Sequence, residues 1–152
     1  MLDKILKPLP RLYKQYRKKS SNESEQTLSA QALTKSWQEQ VVIVDHIEAE
    51  VEIKNGASEK IDIIDFDNQT AYELKVSGNN PHHEFYKDIF KVLAFKKNYP
   101  EKNIKRFVFV SEKSGIDTLE SSTLYKETIM LISYLTSNEK FTIKLVGIET
   151  TI

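Results

Sequence analysis

Three short runs between Ile47 and Val76 carry a period-two pattern that a helix cannot use. Ile47, Ala49, Val51 and Ile53 alternate with His46, Glu48, Glu50, Glu52 and Lys54, the pattern of a half-buried strand, and the β-branched Val41–Val44 leads into it. Asn55-Gly56 supplies a tight turn. Lys60–Phe66 is a second strand, Asp67-Asn68 a second turn and Ala71–Val76 a third strand. Strands this close in sequence pair as an antiparallel meander.

The flanking segments have the helical period instead. Ser29 caps a helix over 30–40 with Ala30, Leu33, Trp37 and Val41 on one face. After a loop at 78–81, Glu84–Asn98 repeats Phe85, Ile89, Val92, Leu93 and Lys96 at helical spacing and stops at Tyr99-Pro100. Phe107–Val110 is a short apolar strand, as a buried sheet position requires. Residues 117–136 form a helix carrying Leu119, Leu124, Ile129, Leu131, Ile132 and Leu135, and Phe141–Ile148 is a last strand. Most of Trp37, Phe85, Tyr86, Phe90 and Phe95 are expected to pack in the core rather than stack on bases. The expected fold is α/β: a mixed central sheet with an antiparallel three-strand meander flanked by helices, in the order α-β-β-β-α-β-α-β. The 152 residues are enough for one core, and the absence of cysteine excludes disulfides, thiolate zinc sites and a cysteine nucleophile.

The net charge of zero is the sum of two opposed parts. Residues 1–19 carry +6, through Lys4, Lys7, Arg11, Lys14, Arg17, Lys18 and Lys19 against Asp3, and the remaining 133 residues carry −6. Pro8 and Pro10 interrupt the apolar pattern there, so a short helix over 10–19 is expected, followed by a polar linker at 20–27. The expected division is a basic N-terminal arm and linker over 1–28 and a single α/β domain over 29–152. Lys14, Arg17 and Lys18 of the arm, with Lys96 and Lys97 at the end of the long helix, are candidate contacts for a phosphate backbone. No apolar run approaches the roughly 20 residues of a membrane span, and the N-terminal leucines form no signal core. A cytoplasmic location without a membrane partner is the expectation.

One constellation suggests chemistry. Glu73 and Lys75 share a face of the third strand, away from Tyr72, Leu74 and Val76. A hairpin turn near Asn68 puts Asp62 on the neighbouring strand, in a register that allows it to lie near Glu73, whereas Asp65 points to the opposite face and Asp67 sits in the turn. Two carboxylates and one ammonium on one face repel unless a hard divalent cation settles them, and Mg²⁺, with Mn²⁺ as substitute, suits a site with few carboxylates. Such a cation can activate a water and stabilise charge on phosphorus.

Asp62, followed eleven residues later by Glu73-Leu74-Lys75, resembles the PD-(D/E)XK nuclease superfamily, the restriction-endonuclease-like fold. The likeness covers about residues 29–148, and Ile61 stands where the motif's name has Pro. It implies Asp62 and Glu73 as metal-binding acids and Lys75 as the catalytic lysine. Glu39 or Glu50 would fill the family's further acidic position, and Lys87 and Lys91, one turn apart on the helix after the third strand, would both face a phosphate at the family's basic position. The implied function is Mg²⁺-dependent hydrolysis of DNA phosphodiesters by an endonuclease of restriction, resolvase or repair type, acting as a homodimer or within a larger complex. The alternative is a non-catalytic nucleic-acid-binding or assembly protein that keeps the fold.

Overall fold

The computed structural model describes residues 4–19, 23–76, 81–137 and 139–149. Helices α1 (Leu9–Lys19) and α2 (Glu23–Val41) precede the meander of β1 (Ile47–Glu52), β2 (Lys60–Asp65) and β3 (Thr70–Lys75). Helix α3 (Pro81–Asn98), a 3₁₀ turn at Pro100–Lys102 and β4 (Arg106–Glu112) follow, then α4 (Lys113–Ser121), α5 (Thr123–Leu135) and β5 (Thr142–Ile148). The strands form one open sheet in the order β1-β2-β3-β4-β5. The first three are antiparallel, with Ile47 opposite Asp65 and Ile63 opposite Tyr72, and β3, β4 and β5 run parallel. A five-stranded mixed sheet flanked by helices is thus the observed architecture.

Two apolar layers sandwich the sheet. On one face, Leu9, Leu12, Tyr13 and Tyr16 of α1 and Leu33 and Trp37 of α2 pack on Ile63, Tyr72, Leu74, Val108 and Val110. On the other, Phe85, Ile89 and Val92 of α3, Leu119 of α4 and Ile132 of α5 pack on Ile64, Ala71, Phe107 and Phe109. This explains why β4 is apolar on both sides: it is covered on both. The basic N-terminal segment joins this core. The indole N–H of Trp37 donates to the Ile5 carbonyl at 2.6 Å, and the Tyr13 hydroxyl donates to the Glu112 carboxylate at the end of β4. Pro8 and Pro10 do not break α1, because they fall before and within its first turn, where backbone N–H groups have no partner inside the helix.

Several sequence expectations change. The stretch 20–27 is no linker throughout, since α2 begins at Glu23 and passes through Ser29; residues 20–22 lie outside those described. Val41 ends α2 rather than opening a strand, because it completes the apolar face set by Leu33 and Trp37, and Ile43 is left 81% exposed in the turn that follows. The helix expected to start at Glu84 begins at Pro81, with His82 and His83 in its first turn. The helix expected over 117–136 is two: Ser122 is extended, with ψ 145°, and its hydroxyl accepts the Tyr125 N–H at 3.1 Å, capping α5. That break turns Leu124, Leu131 and Leu135 outward, and Phe90 on α3 is also exposed rather than in the core.

Gly147 on β5 lies where the chain enters α4. A Cβ there would sit 2.8 Å from the Lys113 Cα, a backbone atom that cannot swing aside. Gly147→Ala is therefore expected to lower stability by about 1–3 kcal/mol, the cost of overpacking, measurable as a shifted urea midpoint.

Candidate active site

The meander's ladder sets the site. The pairing of β2 with β3 runs from Asp65 opposite Thr70 to Ile63 opposite Tyr72. One step further Asp62 and Glu73 face each other, and side-chain oxygens replace carbonyls as acceptors. The Asp62 N–H donates to Glu73 Oε1 at 3.3 Å, and the Leu74 N–H donates to Asp62 Oδ2 at 2.9 Å. Each carboxylate is thereby fixed by the backbone of the opposite strand, which holds both in place at a common edge.

Helices close the site from both layers. From α2, Gln38 Nε2 donates to the Asp62 carbonyl at 2.9 Å. From α3, the Lys91 ammonium stands 2.6 Å from Glu73 Oε1 and 3.1 Å from Asp88 Oδ1, and donates to the Lys60 carbonyl at 2.7 Å. Glu73 and Asp88 have no exposed surface, and Asp62 is nearly buried. Lys75 is half-buried, with its ammonium 3.9 Å from Glu84 Oε2. Gln38, Glu50, Asp62, Lys75 and Glu84 line a cleft of about 670 Å³, with Thr34 on its α2 side. Glu50 has a φ of 52° between Ala49, opposite Ile63, and Val51, opposite Ile61. A left-handed residue within a strand is strained, and strain of this kind gathers at functional sites; here it lies across from Asp62.

The charges are unevenly balanced. Asp62, Glu73 and Asp88 bring three carboxylates, and Lys75 and Lys91 bring two ammoniums. Burial, then Asp62 and Asp88, push the Glu73 carboxyl well above its usual range, against the pull of Lys91. Burial lifts Asp88 to about 6 despite Lys91 and Lys75. Burial works against a charged Lys75, but Asp88, Asp62 and Glu73 together outweigh it and raise the pKa, so Lys75 is an ammonium at neutral pH. Lys91 is raised by Glu73 and Asp88 in the same way.

The Asp88 shift has a stability consequence. The folded chain holds this proton to about pH 6, whereas the unfolded chain releases it near 3.8. Between those values the native state binds more protons, so the Asp88 contribution to stability falls as pH rises through that window. Asp88→Asn is expected to flatten the pH dependence of the melting temperature between about pH 4 and 6, read by thermal scans of both proteins.

The donors suit a hard cation in kind. Glu73 Oε2 is buried without a hydrogen-bond partner, and Asp62 offers a second carboxylate beside it. Among the described residues no group of three or more His, Cys, Asp or Glu side chains is arranged to hold a metal. Two acids fit Mg²⁺, which keeps most of its waters, better than Zn²⁺ or Ca²⁺, which need more protein ligands.

The remaining sequence candidates are dispersed. Lys87 and Lys91 are one turn apart, yet Lys87 is exposed and only Lys91 reaches the site. Glu39 is exposed and outside the cleft, whereas Glu50 lines it. Lys14 and Arg17 are exposed on α1 with Arg11, opposite its buried leucines and tyrosines, and Arg17 lies 3.8 Å from Glu112; the side chain of Lys18 is outside the described residues. Lys96 is engaged locally, 3.0 Å from Glu139 and over the Phe141 ring, while Lys97 is exposed. Asp65 accepts from Asn68 and neighbours His46, away from the cleft.

Gln38 and Asp88 are missing from the sequence-based set. Each lay on a polar stripe beside an apolar one: Gln31, Thr34 and Gln38 on α2, and Glu84, Asp88 and Lys91 on α3, at helical spacing. Fold and site together define a mixed α/β protein with a carboxylate–lysine cluster beneath an open cleft. Compared with family models, curated proteins and solved structures, the chain matches none.

Proposed function

We propose that the protein is a Mg²⁺-dependent nuclease that hydrolyses DNA phosphodiesters, with Asp62, Glu73 and Lys75 as its working residues. The observation that carries this reading is the fixed pairing of the buried Glu73 with Asp62, which lines a cleft that Lys75 also lines. The order of helix, three-strand meander, helix and strand also agrees with the restriction-endonuclease-like core that the Asp62 and Glu73-Leu74-Lys75 motif resembles.

On this reading, Asp62 and Glu73 would hold the cation. Bound there, it would supply Lewis-acid polarisation of a phosphoryl oxygen and a more acidic water. Lys75, kept protonated by the neighbouring carboxylates, donates an N–H to a non-bridging phosphate oxygen and offsets charge building on phosphorus. Gln38 holds the backbone of Asp62, so the carboxylate keeps its aim. Glu50 and Glu84 give the cleft acidic walls, which bare phosphate avoids until a cation is present. Incubation with linear, single-stranded and branched DNA in Mg²⁺ or Mn²⁺ tests the proposal. Cleavage is expected, and its absence on every substrate would overturn it.

A second reading, a non-catalytic nucleic-acid-binding or assembly protein, draws on one observation: Lys91 already neutralises Glu73 at 2.6 Å, so the cluster closes without a metal. It would be favoured by DNA binding with a steep salt dependence and no rise in melting temperature with Mn²⁺.

A further inference from the structure

The break at Ser122 leaves α5 with two apolar faces. One, through Ile132 and Tyr125, packs on the α3 and α4 layer. The other carries Leu124 at 61% exposure, Met130 at 66%, Leu131 at 57%, Tyr134 at 78% and Leu135 at 65%. These side chains present on the order of 500–600 Å² of mostly apolar surface, the upper end of what a monomer leaves bare. That area is most of the roughly 800 Å² each partner contributes to a stable interface.

We propose that this face of α5 is a homodimer interface, covered by α5 of a second copy running antiparallel across a two-fold axis. The spacing is self-complementary. Leu124 and Leu131 are seven residues apart, the repeat at which a helix presents the same side chain to a partner helix. Glu127 and Tyr134 are also seven apart and both exposed. With the axis between Met130 and Leu131, Glu127 comes opposite Tyr134 of the partner subunit. The one acid in the seam then meets a hydroxyl donor twice, once on each side of the axis. A two-fold needs the same patch on both chains, and this patch supplies an apolar centre with matching polar groups at equal distances from it. The proposal does not rest on the hydrolysis reading. If both hold, the dimer relates two clefts by symmetry, the arrangement that cutting both strands of a duplex requires.

Sedimentation together with single-cysteine crosslinking tests it, and the cysteine-free chain makes the second measurement clean. The wild type is expected to sediment as a dimer at about 10 μM, and Leu131→Glu as a monomer with an unchanged far-UV spectrum. Under mild oxidation Leu131→Cys, near the axis, is expected to form a disulfide-linked dimer. Leu124→Cys, about 10 Å from the axis along the helix at 1.5 Å per residue, is too far from its copy to bridge. A wild type that stays monomeric at about 100 μM, a dimer that Leu131→Glu leaves intact, or equal crosslinking of the two variants would each overturn the interface.

Discussion

Lys91→Met is expected to remove about 3–5 kcal/mol of folding stability, a large part of the 5–15 kcal/mol of an ordinary domain. The reason is asymmetric burial. Lys91 is the shared partner of Glu73 and Asp88, which are both fully buried, and it also satisfies the Lys60 carbonyl. Deleting the ammonium strands two carboxyls in a low-dielectric layer between Phe85, Ile89 and Val92 of α3 and the sheet. They must then take up protons or drag in water, and either costs free energy. Urea denaturation at pH 7 measures the loss. Two controls bound its cause. Lys75→Met removes a half-exposed lysine from the same cluster, and its 3.9 Å contact with Glu84 is worth no more than about 1 kcal/mol. Adding Glu73→Gln and Asp88→Asn to Lys91→Met removes the stranded charges and should recover much of the loss. A fall below about 1 kcal/mol for Lys91→Met would show that the cluster is wetter than its burial indicates.

The second large effect is on activity. Asp62→Ala and Glu73→Gln are each expected to lower DNA cleavage by about a thousandfold or more, the scale on which a preorganised electrostatic group acts. Glu73→Gln is the sharper test, because it should not unfold the protein: Lys91 keeps Asp88 at 3.1 Å, and the cluster sheds an excess negative charge. Loss of cleavage with an unchanged melting temperature therefore separates a working carboxylate from a structural one. Mn²⁺ gives an independent readout. At a hundred times its dissociation constant, it should stabilise the wild type by about 2.7 kcal/mol, and that gain should vanish in Asp62→Ala. Cleavage that survives either substitution would remove these residues from the reaction.

Much of the site was legible because strand geometry is strict. Alternation puts Glu73 and Lys75 on one face, and the short turn at Asp67-Asn68 allows a register with Asp62 near Glu73, which the observed ladder fixes. The helical contributors were harder. A helix face is fixed only by its rotation about its own axis, and an error of one residue turns a side chain by 100°, which is the difference between exposed Glu39 and buried Gln38. Lys87 and Lys91 shared a face by spacing, yet only Lys91 is buried, where Glu73 and Asp88 engage its ammonium. Asp88 escaped notice for another reason. An acid on a polar helix stripe is expected to be exposed, and only its lysine partner makes its burial tolerable.

By itself the sequence determined the meander, the long helix after it and the apolar β4, since all three depend on local periodicity and short turns. Tertiary structure decided what depends on contacts across the chain. The basic N-terminal segment lies on the core because its leucines and tyrosines find Trp37 and the sheet. Ser122 divides one apolar stretch into two helices, its hydroxyl capping the second, and α5 is left with an exposed apolar face. An ammonium stands against Glu73 because the packing of α3 on the sheet brings Lys91 within 2.6 Å of it, a distance that no spacing in the sequence encodes.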